Sequence, residues 1–206
     1  MLSLASQSLG LASPIMMSAN ADAPIKLGVN GFGRIGRQVV RIAMDRESFI
    51  LKHINSPMAP EYMKYLLEHD TVHGRFSGTC EVDGDALIIN GAKVTLSATR
   101  VPAEIPWTQT GVEYVCESTG AFTTTEGCMA HIEGGAKKVI ISAPAKDADT
   151  PTLVVGVNQD EYDSLFCVVD LHAITAVHAN GQVSAPDRSV GSRRRPRPRQ
   201  IPHLGS

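Results

Sequence analysis

The sequence predicts an α/β fold: a doubly wound, mostly parallel sheet with a β-rich insert and disordered tails. Three observations predict it. A Gly-rich turn, Gly31-Phe32-Gly33-Arg34-Ile35-Gly36, stands between a short apolar strand and a segment of helical spacing. Strand-like and helix-like segments then alternate through residue 162, the pattern of a parallel sheet covered by helices on both faces. Between 79 and 99 the pattern changes to short β runs separated by Asp83-Gly84 and Asn90-Gly91, a hairpin signature.

The elements follow in order. Residues 25–30 form a buried strand. Arg34 to Met44 places Ile35, Val39, Val40, Ile42 and Ala43 at helical spacing. Phe49 to Asn55 is the next strand, which completes a strand–turn–helix–strand unit within about 30 residues. Pro60 to Glu68 is a helix with proline in its first turn. Val112 to Cys116, Lys138 to Ser142 and Thr152 to Val157 are further strands, and Thr123 to Ile132 is a helix bounded by Gly134-Gly135. After Asp163 the pattern deteriorates. Residues 163–183 are expected to be a remnant of a second, catalytic domain.

Composition fits a globular domain: the 206 residues are 43% hydrophobic and 19% charged. Charge is uneven. Six of the 19 basic residues and none of the 21 acidic ones lie after Asp187, so the body carries −8 and the tail +6. That is not the profile of a nucleic-acid-binding domain. Residues 184–206, rich in Arg and Pro, are expected to be disordered. Residues 1–24 carry no charge before Asp22 and read as a disordered extension. A cytoplasmic protein is expected, or a plastid one if residues 1–24 are a targeting segment. No run of about 18 apolar residues suggests a membrane span. Cys80, Cys116, Cys128 and Cys167 fit no zinc spacing, and no metal is expected.

The Gly-rich turn has the context of a dinucleotide-binding, Rossmann-type unit. Gly31 permits the tight turn, Gly33 lets backbone approach a pyrophosphate, and Gly36 lets helix pack on strand. The helix N-terminus offers free N–H groups to phosphate. An acidic residue about 20 positions on would hold a ribose 2′-hydroxyl. Here that position is Ser56. A serine hydroxyl can donate to a 2′-phosphate that a carboxylate would repel, so NAD or NADP is the expected cofactor.

Five segments in order carry a resemblance. They are Gly28-Val-Asn-Gly-Phe-Gly-Arg-Ile-Gly-Arg37, His69-Asp-Thr-Val-His-Gly-Arg-Phe76, Glu113-Tyr-Val-Cys-Glu-Ser-Thr-Gly120, Gly134-Gly-Ala-Lys-Lys-Val-Ile-Ile-Ser-Ala-Pro144 and Val155-Gly-Val-Asn158. Over about residues 25–162 the chain resembles the phosphorylating glyceraldehyde-3-phosphate dehydrogenase family. The related erythrose-4-phosphate dehydrogenases share much of the pattern. The resemblance implies that Asn30, Gly31, Gly33, Arg34, Ile35 and Gly36 cradle the cofactor phosphates. It places Ser56 where the family has its ribose-binding aspartate, and Arg100 near the adenine. Ser118, Thr119 and Gly120 match the nicotinamide side, and Ser142 a further cofactor contact. It also implies homo-oligomers, assembled largely through a second domain.

Family members attack an aldehyde with a cysteine in a Ser-Cys-Thr-Thr-Asn segment, with a histidine as base. The resulting thiohemiacetal gives its hydride to the nicotinamide, and phosphate then releases the acyl group, giving 1,3-bisphosphoglycerate in glycolysis. His172, in His172-Ala-Ile-Thr-Ala176, resembles that base. The nucleophile segment does not occur among the 206 residues, and Cys167 resembles part of a strand. Two readings stay open: an NAD(P)-dependent dehydrogenase, or a non-catalytic nucleotide-binding or interaction protein, including a misspliced or frameshifted fragment.

Overall fold

The computed structural model describes residues 23–154, 157–164 and 166–171. Their centre is a nine-stranded sheet. β1 (Ile25–Asn30), α1 (Arg34–Met44) and β2 (Phe49–Asn55) form the first unit, with β1 and β2 parallel. α2 (Pro60–Glu68) follows, then a small antiparallel pair, β3 (His69–Asp70) and β4 (Gly74–Arg75). β5 (Cys80–Val82), β6 (Ala86–Ile89) and β7 (Ala92–Ser97) make the β-rich insert. β7 runs parallel to β2, while β6 and β5 add in antiparallel sense at the edge. α3 (Trp107–Thr110), β8 (Tyr114–Glu117), α4 (Thr125–Glu133), β9 (Lys138–Ile141), β10 (Thr152–Leu153) and β11 (Val168–Leu171) complete the order. The sheet reads β10-β11-β9-β8-β1-β2-β7-β6-β5. This is the open α/β architecture expected from the sequence.

Strand alternation divides the core between two faces. One cluster gathers Leu27, Val29, Val40, Leu51, Ile54, Met63, Leu67 and Leu87 beneath α1 and α2. The other gathers Ile105, Trp107, Val115, Cys128, Val139 and Ile141 beneath α3 and α4. Neighbours Val115 and Cys116 point to opposite clusters, as the period of two in a strand dictates.

Several elements differ from expectation. In α1 the buried stripe runs Gly36, Val40, Ala43, while Ile35 and Ile42 are 53% and 52% exposed. Those two share a different face, seven residues apart. β8 begins at Tyr114 rather than Val112: the Val112 N–H turns back to the Trp107 carbonyl, and pairing with β1 starts where the Glu113 N–H meets the Lys26 carbonyl. β10 stops at Leu153, and Val157 lies in a turn whose N–H bonds to Val154. Val168–Leu171, within the stretch expected to be a remnant of a second domain, pairs in this sheet between β9 and β10, parallel to both. Residues 172–183, the tail 184–206 and most of the 1–24 extension lie outside the described residues.

The β3–β4 hairpin is tied to α1. Arg41 donates to the carbonyls of Leu67 and Gly74, and Arg37 Nε lies 3.0 Å from Asp70 Oδ2. Asp70 also accepts the N–H groups of His73 and Val72 at 2.8 and 2.9 Å. These backbone bonds, with the Arg37 charge, hold its carboxyl well below the usual carboxylate range.

Candidate functional site

The chain leaves β1 for β2 on one side and later places β8 on the other. Ligands of open α/β sheets bind outside the carboxyl ends of the strands at such a switch point. Here the strand ends bring Asn55, Asn30 and Glu117 into adjacent register. All three are buried.

The Gly-rich turn joins the end of β1 to α1. Gly31 has φ +93°, and a Cβ there would lie 2.9 Å from the backbone of Ser118 and Thr119. A Cβ on Gly36 would meet the Gly31 carbonyl oxygen at 1.9 Å. A Cβ on Gly33 would meet nothing within 4 Å. Protein packing therefore explains glycine at 31 and 36, whereas Gly33 faces open space. α1 has no side-chain cap and no acidic residue in its first turn. Its leading N–H groups are left for an external acceptor, which suits a pyrophosphate.

The remaining expected residues surround this crevice unevenly. Ser118 lies just past β8, with its N–H on the Asn30 carbonyl at 2.8 Å. Ser142, just past β9, reaches across to it: its N–H donates to the Glu117 carbonyl at 3.0 Å, and its Oγ lies 3.3 Å from Ser118 Oγ. Thr119 and Gly120 are exposed beyond them, with Gly120 at φ +73°. Ser56 follows β2 and is buried; its N–H donates to the Ser97 carbonyl, and its Oγ accepts from the Met58 N–H. Arg34 and Ile35 project into solvent at the start of α1, and Arg100 is exposed after β7. His172 lies outside the described residues.

Sequence reasoning missed the polar system beneath the crevice. Asn30 Nδ2 donates to Glu117 Oε2 at 2.5 Å, and Asn55 Nδ2 donates to Asn30 Oδ1 at 2.7 Å. His131 Nε2 also meets Glu117 Oε2, at 3.0 Å, and Trp107 Nε1 donates to His131 Nδ1 at 3.1 Å. Glu117 Oε1 accepts from the N–H and the hydroxyl of Thr119. An indole nitrogen can only donate, so His131 Nδ1 must be the acceptor and Nε2 carries the hydrogen. In the His131–Glu117 contact, Nε2–H therefore donates and Oε2 accepts. Trp107 showed no motif in the sequence, and Glu117 lay inside a quoted segment without a role.

His53 continues the system behind β2, with Thr95 and Ser97 hydroxyls 2.7 Å from its two nitrogens. Burial lowers its pKa from 6.5 to about 4. The unfolded chain takes up this proton near pH 6.5 and the fold does not. Stability is therefore full above about 6.5 and falls as pH drops toward 4, by on the order of 3 kcal/mol. Asp70 extends the loss below the ordinary carboxylate range. Urea unfolding at a series of pH values checks this. His53→Gln should flatten the upper window, and a wild-type curve flat from pH 6.5 to 4 would contradict it.

Cys80, Cys116 and Cys128 are buried, and burial pushes their thiols up, to about 11 for Cys80 and about 12 for Cys128. Such thiols are packing groups rather than nucleophiles. Among the described residues no cluster of three His, Cys, Asp or Glu could hold a metal, and no helix is long and apolar enough to cross a membrane.

The family described as "Glyceraldehyde 3-phosphate dehydrogenase, NAD binding domain" matches residues 25–125. The glyceraldehyde-3-phosphate dehydrogenase of Neurospora crassa is 54% identical over 140 residues, covering 68% of this chain and 41% of that protein. Glyceraldehyde-3-phosphate dehydrogenase 2 of Trichoderma koningii is 54% identical over 142 residues, with the same two shares. Glyceraldehyde-3-phosphate dehydrogenase 1 of Mucor circinelloides is 50% identical over 146 residues, covering 70% of this chain and 43% of that protein. The chain thus spans about two fifths of the length of the curated relatives it matches. With the turn and switch point in place, these similarities show that the chain carries the NAD-binding domain of the glyceraldehyde-3-phosphate dehydrogenase family.

Proposed function

We propose that the chain is a dinucleotide-binding module that holds NAD, accepts NADP as well, and does not itself turn over an aldehyde. One observation carries the reading: the Gly31–Gly36 turn delivers an uncapped helix N-terminus to the switch point, with open space in front of Gly33. Asn30, Gly31, Gly33, Arg34, Ile35 and Gly36 would hold the pyrophosphate side. Ser118, Thr119, Gly120 and Ser142 would line the nicotinamide side, Ser56 the adenosine ribose and Arg100 the adenine. The bound nicotinamide would supply hydride acceptance. Residues 25–162 form the dinucleotide unit, and β11 completes its sheet.

Ser56 favours the wider cofactor range. Its oxygen accepts from Met58, which leaves the hydroxyl hydrogen for a ligand. Calorimetric titration of the chain with NAD, and separately with NADP, is the direct test. Saturable binding of both is expected. Ser56→Asp should weaken NADP at least about tenfold through charge repulsion while sparing NAD. A strong NAD preference in the unsubstituted chain would defeat the NADP claim, and no binding of either would defeat the whole reading.

A further inference from the structure

Glu117 sits where two polar chains converge, and each has its direction fixed by a group other than Glu117. On one side, Asn55 is oriented by the Thr99 backbone: its Oδ1 accepts the Thr99 N–H at 2.9 Å and its Nδ2 donates to the Thr99 carbonyl at 2.8 Å. Asn55 must then donate to Asn30 Oδ1, and Asn30 must turn its own Nδ2 toward Glu117. On the other side, the donor-only indole of Trp107 fixes the His131 tautomer, so Nε2–H also faces Glu117. Both chains deliver hydrogens to Oε2. Oε1 receives the N–H and hydroxyl of Thr119, whose Oγ1 in turn accepts from the Ala121 N–H at 3.1 Å. Four donors meet at one side chain, and only a carboxylate accepts them all.

The consequence reaches the crevice. Thr119 lies in the exposed loop after β8, and Asn30 ends β1 directly before the Gly-rich turn. Trp107 and His131 are both fully buried. We propose that the Trp107–His131–Glu117 chain is a positioning device for the dinucleotide site, setting the Thr119 loop against Asn30 from within the core. This rests on the dinucleotide reading above. Glu117 and His131 are positioning residues: they act through Thr119 and Asn30.

The test separates positioning from stability. His131→Phe keeps a ring but removes both hydrogen bonds, whereas His131→Gln retains one acceptor and one donor. NAD affinity of the full chain is measured by calorimetry, with the site number reporting the folded fraction. The Thr119 amide resonance is followed in the absence of NAD. His131→Phe should raise the NAD Kd about tenfold and move that resonance, and His131→Gln should stay within about threefold of wild type. A folded His131→Phe chain with wild-type Kd overturns the proposal, because a merely structural residue changes stability and leaves Kd alone. Should that variant lack a cooperative unfolding transition, Trp107→Phe replaces it: a raised Kd supports the device and an unchanged one overturns it. A wild-type chain that binds no NAD instead sinks the dinucleotide reading, and the positioning role with it.

Discussion

Gly36→Ala is expected to abolish dinucleotide binding and to cost the fold about 3 kcal/mol, at the upper end of overpacking effects. The new Cβ would lie 1.9 Å from the Gly31 carbonyl oxygen and 3.0 Å from its carbon. Both are backbone, so no side chain can swing aside. Gly31 has little room to retreat: its N–H is on the Asn55 carbonyl at 2.8 Å, and a Cβ on it would already meet Ser118 and Thr119 at 2.9 Å. α1 would have to lift from β1, which removes the helix N-terminus from the crevice. Gly33→Ala is the contrasting case. It adds a methyl group to open space, so stability should fall by no more than about 1 kcal/mol, the scale of an N-cap change. Binding should still weaken severely, because the methyl occupies the volume assigned to the pyrophosphate. Denaturant unfolding and calorimetry on both variants decide the matter. Wild-type stability for Gly36→Ala would contradict the packing argument. Wild-type NAD binding for Gly33→Ala would move the ligand elsewhere.

The second large effect concerns turnover. The purified chain, given glyceraldehyde 3-phosphate, NAD and phosphate, is expected to form no NADH above the blank. Loss of a covalent nucleophile lowers kcat by on the order of a millionfold. Three of the four cysteines are buried, with thiols raised by burial. Cys167 is exposed, but it precedes Val168 at the amino end of β11. β11 runs parallel to β9, β8 and β1, so Cys167 stands a strand's length from the carboxyl-end crevice, roughly 13 Å at 3.3 Å per residue. Steady, phosphate-dependent NADH formation would overturn this expectation.

Local signals made most of the fold legible. The Gly-rich turn, the 3.6-residue spacing of α1 and the turn dipeptides of the insert each act over a few residues, and each marked its element. α3 was not legible, because four residues after Pro106 give no period to read. β10 was overextended because apolar residues continue past Leu153, whereas Asn158 ends the strand: its Oδ1 takes the Val154 N–H at 2.7 Å. The floor of the site was the least legible part. Asn30 and Glu117 are 87 positions apart, and Trp107 and His131 are 24 apart. Their pairing exists only once β1, β8 and α4 have been stacked. A lone Trp, His or Glu in a sequence carries no sign of such partners.

The sheet's ends bear on how the protein behaves when concentrated. An open sheet offers its outermost backbone as a template for a further strand, the first step toward fibrils. Among the described residues, one margin is the three-residue β5 and the other the two-residue β10. At β10, Asn158 also occupies the Thr152 carbonyl, donating from Nδ2 at 3.0 Å. Margins this short among the described strands give a second chain little length on which to register.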